Sequence, residues 1–592
     1  MYSIKDKGAR DQENSSSKVK NTESTPQQRA LVFQGGGALG AYEAGVFKVL
    51  YNWIKEECQE DENIFDIVAG TSIGAINATI VVSHYLERKE QLEQNGERIV
   101  PLKCWEGASK KLLDFWKYIS SFPNSYGDWM LNLTLCWLQW LRMNPYIHLP
   151  SREAFRRYLS TRVSLVFGEP SVFLPSFIAP FPTEFNNKFL DFTPQFAWWY
   201  RYTSQLLRES IEMFATKLSD GGIKTSVENH EPRLILISVD IEEGATVSFD
   251  SYEKPKDRTL KSEYNVQDVE NHDRTYEKSI FYENGITTDH VMASASVPKN
   301  FDYVEIKGSK FWDGGLLSNT PLREVISEHN LFWKEKLGLD SVELSFNTWG
   351  EPRRSIPSLG VCIVNLYPSK ETTSVSALKD YDMIKDREND IKYHDKTEYD
   401  LKVATFVSDY VAFVTEMTDL AFQLIKEKDN PGDKIDRFNT ILEMPAKSTQ
   451  RSGEKRHYQD LLKNRFEISS MIKVERQDDG DTISDKALDF SAPTISNLIA
   501  SGIKDALIEI ISKLSEKVIF NNLSPKVKKE LLDEMKKDLI SIKVPYDSSA
   551  VSAVPISNYR KKIDANRKLL NDKQYNALIR SINLISASLE TE

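Results

Sequence analysis

The sequence of 592 residues has little cysteine, no long apolar run and no surplus of positive charge. Its four cysteines are scattered and form no C-x-x-C pair, so we expect neither a metal site nor a redox pair built from them. No stretch reaches about 18 apolar residues, which argues against a membrane-spanning helix. The net charge of −11 argues against nucleic acid as a partner, because phosphates need a basic surface. These absences favour a cytoplasmic protein.

Histidine is also scarce. The eight histidines form no H-x-x-x-H pattern and no cluster with carboxylates, so we predict no metal site and no cofactor of that kind. The first 28 residues are polar and contain no apolar segment of the kind that a secretory signal needs. We therefore expect residues 1–28 to form a disordered tail.

Strands and helices alternate in the chain that follows. The segments "ALVF" and "IFDIVAG" predict buried strands, each followed by a glycine-containing turn and a helix. The segments "RLILISVDI", "KFWDGG" and "GVCIVNLYP" predict further strands, and apolar residues near positions 406, 410, 413, 417, 420 and 424 predict a long amphipathic helix. This alternation predicts an α/β fold with a mainly parallel central sheet covered by helices.

The turn after the second strand, "GTSIG", matches G-x-S-x-G in the strand–turn–helix context that this motif requires. Gly70 and Gly74 are small enough to let neighbouring chain pass on either side of the turn. The hydroxyl of Ser72 would then project above the sheet at the positive end of a helix. The motif therefore predicts Ser72 as a nucleophile.

A nucleophilic serine needs donors for the oxyanion that forms on attack. Consecutive glycine amides can point together and form an anion-binding concavity, and Gly35, Gly36 and Gly37 follow the first strand directly. Because neighbouring parallel strands end at the same edge of a sheet, this loop should lie beside the Ser72 turn.

The nucleophile also needs a base for its proton. The segment "DGG" places Asp313 at the end of a predicted strand, and Gly314 and Gly315 allow close backbone approach. An Asp-Gly pair on its own is an ordinary turn. In combination with the serine turn and the glycine loop, it indicates Asp313 as the candidate base.

Four segments resemble the landmark segments of patatin-like phospholipases: "QGGGALGAYEAG", "GTSIGA", "ASASVP" and "DGGLLSNTP". The resemblance is strongest over residues 29–85 and 285–325. It implies a patatin-like three-layer fold, a Ser–Asp dyad of Ser72 and Asp313, and an oxyanion hole from the amides of the three consecutive glycines, with Gly40 as further motif support. Many members of the family carry Arg or Lys where this chain has Leu39, which removes a cation that could hold an anionic head group.

Two other site types compete with this interpretation. Gly35, Gly37 and Gly40 also fit the dinucleotide-binding pattern G-x-G-x-x-G, but the acid that binds the ribose should end the second strand, which here runs into the serine turn. A Ser–His–Asp triad would need a late histidine. The candidates are His329, His394 and His457, and none of them lies in an apolar run that ends in a loop.

The chain is expected to divide into six parts. These are the tail (1–28), a first core part with the oxyanion loop and nucleophile (29–100), an aromatic-rich insertion or lid (101–225), a second core part with the catalytic aspartate (226–370), a helical and strand C-terminal part of the core (371–515) and a helical tail (516–592). The insertion holds seven of the eleven tryptophans. It could be a satellite core, or a lid whose segment "WMLNLTLCWLQWLRM" lies in a membrane interface. Residues 556–585 carry a net charge of +5, typical of a solvated helix face or of attraction to anionic lipid.

Together these observations predict a lipid acyl hydrolase of phospholipase or lysophospholipase type that forms an acyl-serine intermediate and needs no cofactor. Its expected partner is a phospholipid or another lipid ester, and the protein could associate peripherally with a membrane. An acyltransferase on the same fold and a membrane-associated scaffold without turnover are the alternatives. The sequence does not indicate whether a protein activator is needed.

Overall fold

A computed structural model describes residues 27–120, 152–169, 171–175, 202–252, 277–281, 285–337, 356–367, 381–394, 396–426, 436–437, 440–441, 444, 468–476 and 483–514. Nearly all of the predicted N-terminal tail, nearly half of the aromatic insertion, including its segment 129–143, and the predicted tail over 516–592 lie outside these described residues.

The described helices are α1 (Ala41–Glu57), α2 (Ile73–Gln94), α3 (Pro101–Cys104), α4 (Ala108–Ile119), α5 (Arg152–Phe167), α6 (Gln205–Phe214), α7 (Thr288–Ala295), α8 (Leu322–Leu337), α9 (Tyr381–Tyr393), α10 (Thr397–Lys426) and α11 (Ala492–Leu514). The described strands are β1 (Gln28–Phe33), β2 (Ile67–Thr71), β3 (Leu174–Pro175), β4 (Tyr202–Thr203), β5 (Arg233–Asp240), β6 (Ala245–Asp250), β7 (Glu277–Phe281), β8 (Val304–Ile306), β9 (Ser309–Asp313), β10 (Leu359–Asn365) and β11 (Ile468–Glu475).

The central sheet runs in the order β11-β10-β1-β2-β5-β6-β7. All neighbours from β11 to β5 are parallel, whereas β6 and β9 pair antiparallel with β5. Strands β1, β2, β5 and β10 are buried along almost their whole length, as a parallel sheet covered on both faces requires. The predicted mixed α/β fold with a mainly parallel sheet is therefore confirmed.

Alternate residues of one strand face two different layers. Leu31 and Phe33 of β1 lie in a large apolar cluster that includes residues of α1, α2, α4 and α11. Ala30 and Val32 lie in a smaller cluster on the other face, which includes Leu322 of α8. Helices thus cover both faces of the sheet, and the core has three layers.

Two tryptophans of the predicted insertion belong to the larger of these clusters. Trp105 and Trp116 are fully buried. The Trp105 ring contacts Phe65 and Tyr85 edge to face, with centroid distances of 6.1 and 5.3 Å. The segment that begins the insertion is therefore packed into the core through α3 and α4. The domain boundaries as a whole stay a prediction.

Helices α1 and α11 cross at two glycines. A Cβ atom added to Gly45 would collide with the carbonyl oxygen of Ile499, and one added to Gly502 would collide with the carbonyl oxygen of Tyr42. Glycine at both positions lets the two backbones approach this closely. The contact attaches α11, which also contacts β11, to the first helix of the core.

Candidate active site

Ser72 lies in the sharp turn between β2 and α2. Its backbone has φ 56° and ψ −123°, a combination that L-residues rarely adopt. Such a conformation costs on the order of 1–3 kcal/mol and persists only where the surrounding structure enforces it. The residue is half-buried, so the strained turn is accessible from outside the core.

Close packing explains the glycines on both sides of the serine. A Cβ atom on Gly74 would lie 2.7 Å from the carbonyl oxygen of Phe33, and one on Gly70 would collide with the backbone of Gly74. The first turn of α2 can therefore approach the end of β1 only because these positions lack a side chain. The G-x-S-x-G spacing is a steric requirement of this strand–turn–helix unit.

A second serine holds the strained turn in place. The Ser72 N–H donates to Ser294 Oγ at 3.1 Å, and Ser294 Oγ donates to the Ile237 carbonyl of β5 at 2.5 Å. Ser294 belongs to the segment "ASASVP" in α7 and is fully buried. The hydroxyl therefore links the backbone of the nucleophile turn to the neighbouring strand.

Asp313 ends β9, which brings it close to the serine turn. It pairs with Ser238 of β5, next to β2 in the sheet. A Cβ atom on the following residue, Gly314, would lie 3.0 Å from Cγ2 of Thr71 and would collide with the Ile237 carbonyl. The aspartate loop therefore packs directly against the end of β2 from which the Ser72 turn starts.

Asp313 is buried, with only 4% of the residue exposed. Its Oδ1 accepts the Gly315 N–H at 2.7 Å, whereas its Oδ2 has no hydrogen bond of ordinary geometry to any described residue. Burial raises the pKa of Asp313 to about 6, and the nearby Ser72 side chain and the Gly315 amide oppose that rise. The Ser72 hydroxyl thus lies near enough to favour the carboxylate, although it forms no tight hydrogen bond with Oδ2.

The glycine loop lies against the nucleophile. A Cβ atom added to Gly35 would be 3.1 Å from the Cβ atom of Ser72. Gly36 and Gly37 are partly exposed, and their amides form no hydrogen bond with described residues. Gly37 has φ +58°, and a side chain there would also collide with the Ala487 carbonyl. The loop therefore offers two unengaged amides beside Ser72.

Asn319 clamps the first glycine of the run, Gly35, from both sides. The Gly35 N–H donates to the Asn319 carbonyl at 3.1 Å, and Asn319 Nδ2 donates to the Gly35 carbonyl, also at 3.1 Å. The same Nδ2 donates to the Tyr393 carbonyl at the end of α9. The predicted oxyanion donor Gly35 therefore has its amide engaged, and the aspartate loop is tied to the glycine loop.

Buried polar side chains anchor the two ends of the glycine loop. Gln34 Oε1 accepts the Leu366 and Tyr367 amides at 2.6 and 2.8 Å, so the start of the loop is attached to the end of β10. Glu43 accepts the Gln34 N–H and the Asn77 amide, both at 2.8 Å. Burial raises the pKa of Glu43 well above its ordinary value, opposed by these two hydrogen bonds.

Asn77 completes the anchor at the far end of the loop. Its Nδ2 donates to the Gly40 carbonyl at 3.1 Å, and its Oδ1 accepts the Trp116 indole N–H at 3.0 Å. Sequence reasoning did not single out this network. "ASASVP" and "DGGLLSNTP" marked the neighbourhoods of Ser294 and Asn319, but no pattern in the sequence distinguishes Glu43 or Asn77 from ordinary helix residues.

None of the histidines considered for a triad contacts the serine in the described residues. His329 is fully buried in α8, and burial lowers its pKa to about 3. His394 Nδ1 lies 2.5 Å from the Ile391 carbonyl, and His457 lies outside the described residues.

The described part of the chain contains no group of three His, Cys, Asp or Glu residues arranged to hold a metal ion. Searched over the same residues, no helix is long and apolar enough to cross a bilayer.

The fold and this edge of the sheet define an α/β protein with a nucleophile turn, a glycine loop and a buried aspartate. The family of patatin-like phospholipases has a sequence model that matches residues 31–326, half of the chain. This protein therefore belongs to the patatin-like phospholipase family. The match contains all three segments of the candidate site.

Comparison with curated proteins finds no match. Among solved structures, VipD from Legionella pneumophila is 11% identical, covers 96% of this chain and 89% of its own, and has a TM-score of 0.23. The heterodimeric ExoU–SpcU complex from the type III secretion system of Pseudomonas aeruginosa contains a chain that is 14% identical. It covers 96% of this chain and 90% of its own, with a TM-score of 0.20. TM-scores this low carry no argument about the present chain.

The buried carboxyl of Asp313 should make the fold less stable at high pH. The pKa of Asp313 is about 6 in the folded protein and 3.8 for an ordinary aspartate. Ionisation of Asp313 therefore lowers the free energy of unfolding by about 3 kcal/mol at pH 8 and by roughly half of that at pH 5. This stabilising contribution of the neutral form is lost as the pH rises through about 6. We therefore expect Asp313→Asn to raise the free energy of unfolding by up to about 3 kcal/mol at pH 8 and by less at pH 5.

Urea unfolding at both pH values measures this difference. Asp61→Asn, a change at an exposed aspartate, is the matched control and should have little effect at either pH. If Asp313→Asn gives no gain at pH 8, the carboxyl group is not desolvated as described.

Proposed function

We propose that this protein is a lipid acyl hydrolase of the phospholipase type, which cleaves carboxylic esters with Ser72 as nucleophile and Asp313 as its base. One observation carries the proposal: a strained serine turn, a buried aspartate with one unengaged oxygen and a loop with two unengaged amides meet at one edge of the sheet. Membership of the patatin-like phospholipase family supports a lipid ester as the substrate.

The two oxygens of Asp313 have different tasks in this mechanism. Oδ1 is held by the Gly315 N–H, which fixes the orientation of the carboxylate and leaves Oδ2 free for the Ser72 proton. A pKa of about 6 keeps the group ionised near neutral pH but makes it a stronger base than an ordinary aspartate. Attack of Ser72 Oγ on the ester carbonyl transfers the serine proton to Oδ2.

The glycine loop stabilises the negative charge that develops on the carbonyl oxygen. We assign the oxyanion donors to the amides of Gly36 and Gly37, because the Gly35 amide is engaged by Asn319. Collapse of the tetrahedral intermediate expels the alcohol and leaves an acyl-serine, which water then hydrolyses to release the fatty acid. A hydroxyl, a carboxylate and backbone amides suffice for these steps, so the mechanism requires no cofactor.

Apolar side chains at the rim of the site favour a lipid substrate. Leu316 and Leu317 follow the aspartate loop directly and are 41% and 54% exposed. Their position next to Asp313 suits contact with an acyl chain or with the surface of a lipid aggregate. We therefore infer that the protein acts at a membrane surface, on the cytoplasmic side. Leu39 is fully buried in the core, so its side chain does not replace the family's usual cation at the site surface.

Asn319 is proposed as a positioning residue for the oxyanion loop. Its side chain holds the Gly35 carbonyl and the end of α9, while its backbone accepts the Gly35 amide. Donors that act only in the transition state raise kcat without tightening substrate binding. The clamp should therefore influence kcat more than KM.

Ser72→Ala should abolish covalent labelling by a fluorophosphonate probe and release of fatty acid from mixed phospholipid vesicles, because the nucleophile is lost. Ser318→Ala, at a neighbouring residue without a proposed role, is the control and should keep both. Mass spectrometry of the products identifies the acyl position that is cut and detects acyl transfer to an acceptor other than water. Unlabelled wild-type protein would instead favour a scaffold without turnover.

The rate of fluorophosphonate labelling should follow the ionisation of Asp313. Since the base acts as the carboxylate, the wild-type rate should rise about tenfold per pH unit below pH 6 and level off above it. Asp313→Asn should lower the rate and remove this dependence. Equal rates for Asp313→Asn and wild type would show that another group accepts the proton.

Asn319→Ala should lower kcat by about 10- to 100-fold with little change in KM, because it removes two hydrogen bonds that hold the oxyanion loop. Steady-state kinetics on a dispersed lipid ester provides both constants. Ser318→Ala again serves as the neighbouring control. A rise in KM with unchanged kcat would assign Asn319 to substrate binding rather than to positioning.

A further inference from the structure

Helix α10 exposes a continuous row of large apolar side chains. The residues of this row, which we call the α10 stripe, are Val403, Phe406, Tyr410, Phe413, Met417, Leu420 and Leu424. Their exposed fractions range from 42% to 71%, and Phe406 is the most exposed. Single exposed hydrophobic residues are common on protein surfaces, but a row along about six turns of one helix marks an interaction surface.

The spacing of the α10 stripe is that of a coiled-coil seam. Successive members are separated by 3, 4, 3, 4, 3 and 4 residues, so they occupy alternating a and d positions over three heptads. Elsewhere along its length α10 contacts α8 and β11, which attach it to the core. The stripe therefore presents to solvent a seam that fits one further helix.

The charge of α10 indicates what kind of helix would fit. Its acidic residues, Glu398, Asp400, Asp409, Glu416 and Asp419, outnumber Lys402 and Lys426 and give a net charge of −3. Asp409 is exposed and lies in the g position beside the stripe. A second copy of α10 would bring like charges together, and an anionic lipid surface would repel the helix. A basic amphipathic helix is the complementary occupant.

Residues 556–585 of this chain have that character. Like α10 they number 30, and their seven basic and two acidic residues give a net charge of +5. Apolar residues recur at the same alternating spacing in two short rows, at Ile556, Tyr559 and Ile563 and again at Tyr575, Leu578, Ile582 and Ile585. The rows are 19 residues apart rather than a multiple of seven, so only one of them can face the α10 stripe at a time, and the longer second row is the better match. The charge of the segment is complementary to that of α10.

The connection is long enough for this contact within one chain. The last described helix, α11, ends at Leu514 and contacts β11, as α10 does. The 41 residues between Leu514 and Ile556 could span more than about 100 Å when extended. Chain length therefore does not limit where the segment can dock.

We propose that residues 556–585 dock as a helix on the α10 stripe of the same molecule. In this contact the row Tyr575, Leu578, Ile582 and Ile585 packs along the stripe, and the basic residues of the C-terminal segment lie beside Asp409 and its acidic neighbours. The N-terminal end of α10 follows Tyr393, whose carbonyl accepts the Asn319 side chain, by four residues.

Hydrogen exchange on the full-length protein, followed by mass spectrometry, tests this contact. In the wild type the amides of residues 556–585 should be protected. The double variant Phe406→Ser, Phe413→Ser should speed their exchange about tenfold or more, while β1 in the core stays protected. Phe167→Ser is the matched control, because Phe167 on α5 is 62% exposed, as is Phe413, and its loss should leave the C-terminal segment protected.

A charge reversal in the C-terminal segment provides the reciprocal test. Lys561→Glu combined with Lys562→Glu should speed exchange in residues 403–424, because it opposes the acidic side of α10. Unprotected exchange of residues 556–585 in the wild type would overturn the proposal. Two further results would also overturn it. One is a wild-type dimer, seen by sedimentation, that dissociates in the stripe variants. The other is vesicle binding that the stripe variants abolish without any change in exchange of the C-terminal segment.

Discussion

The positive φ of Ser72 at the end of β2 is the constraint on which the candidate site depends. A backbone in this conformation is maintained only by the packing around it, at a cost on the order of 1–3 kcal/mol. Gly70 and Gly74 allow α2 to approach β1, and Ser294 accepts the N–H of the strained residue. The sheet and its helices therefore hold the hydroxyl rigidly while leaving it accessible.

The polar groups beneath the glycine loop show how the fold fixes a loop whose glycines have little intrinsic preference for one backbone conformation. Gln34, Glu43 and Asn77 are completely buried, and each is hydrogen-bonded to the loop or to its anchors. Burying such groups is tolerated because their partners replace water. Asp313 differs from them, since one of its oxygens is buried without a partner. Burial raises its pKa, and this perturbed, partly unsatisfied carboxyl group supports the proposed role of Asp313 as a base.

The α10 stripe shows a different kind of incompleteness. The core buries its apolar residues on both faces of the sheet, yet α10 exposes a regular apolar seam. Because burial of apolar surface is the main favourable term in folding and association, a seam of this length indicates an interaction surface. In the contact that we propose, the basic C-terminal segment covers it.

The sequence alone predicted strands β1, β2, β5, β9 and β10, the helices after β1 and β2, and the three segments of the candidate site. It did so because buried parallel strands are continuous apolar runs, and because tight turns and close backbone approaches require glycine. Boundaries were less certain: the strand predicted from Ile64 begins at Ile67, since Asp66 instead caps the neighbouring Arg29 amide with its side chain. Only the tertiary structure decided that Trp105 and Trp116 lie in the core, that Asn319 engages the Gly35 amide, and that the apolar face of α10 is exposed. These facts depend on which segments pack together, and a hydrogen bond between residues 284 positions apart leaves no local pattern in the sequence.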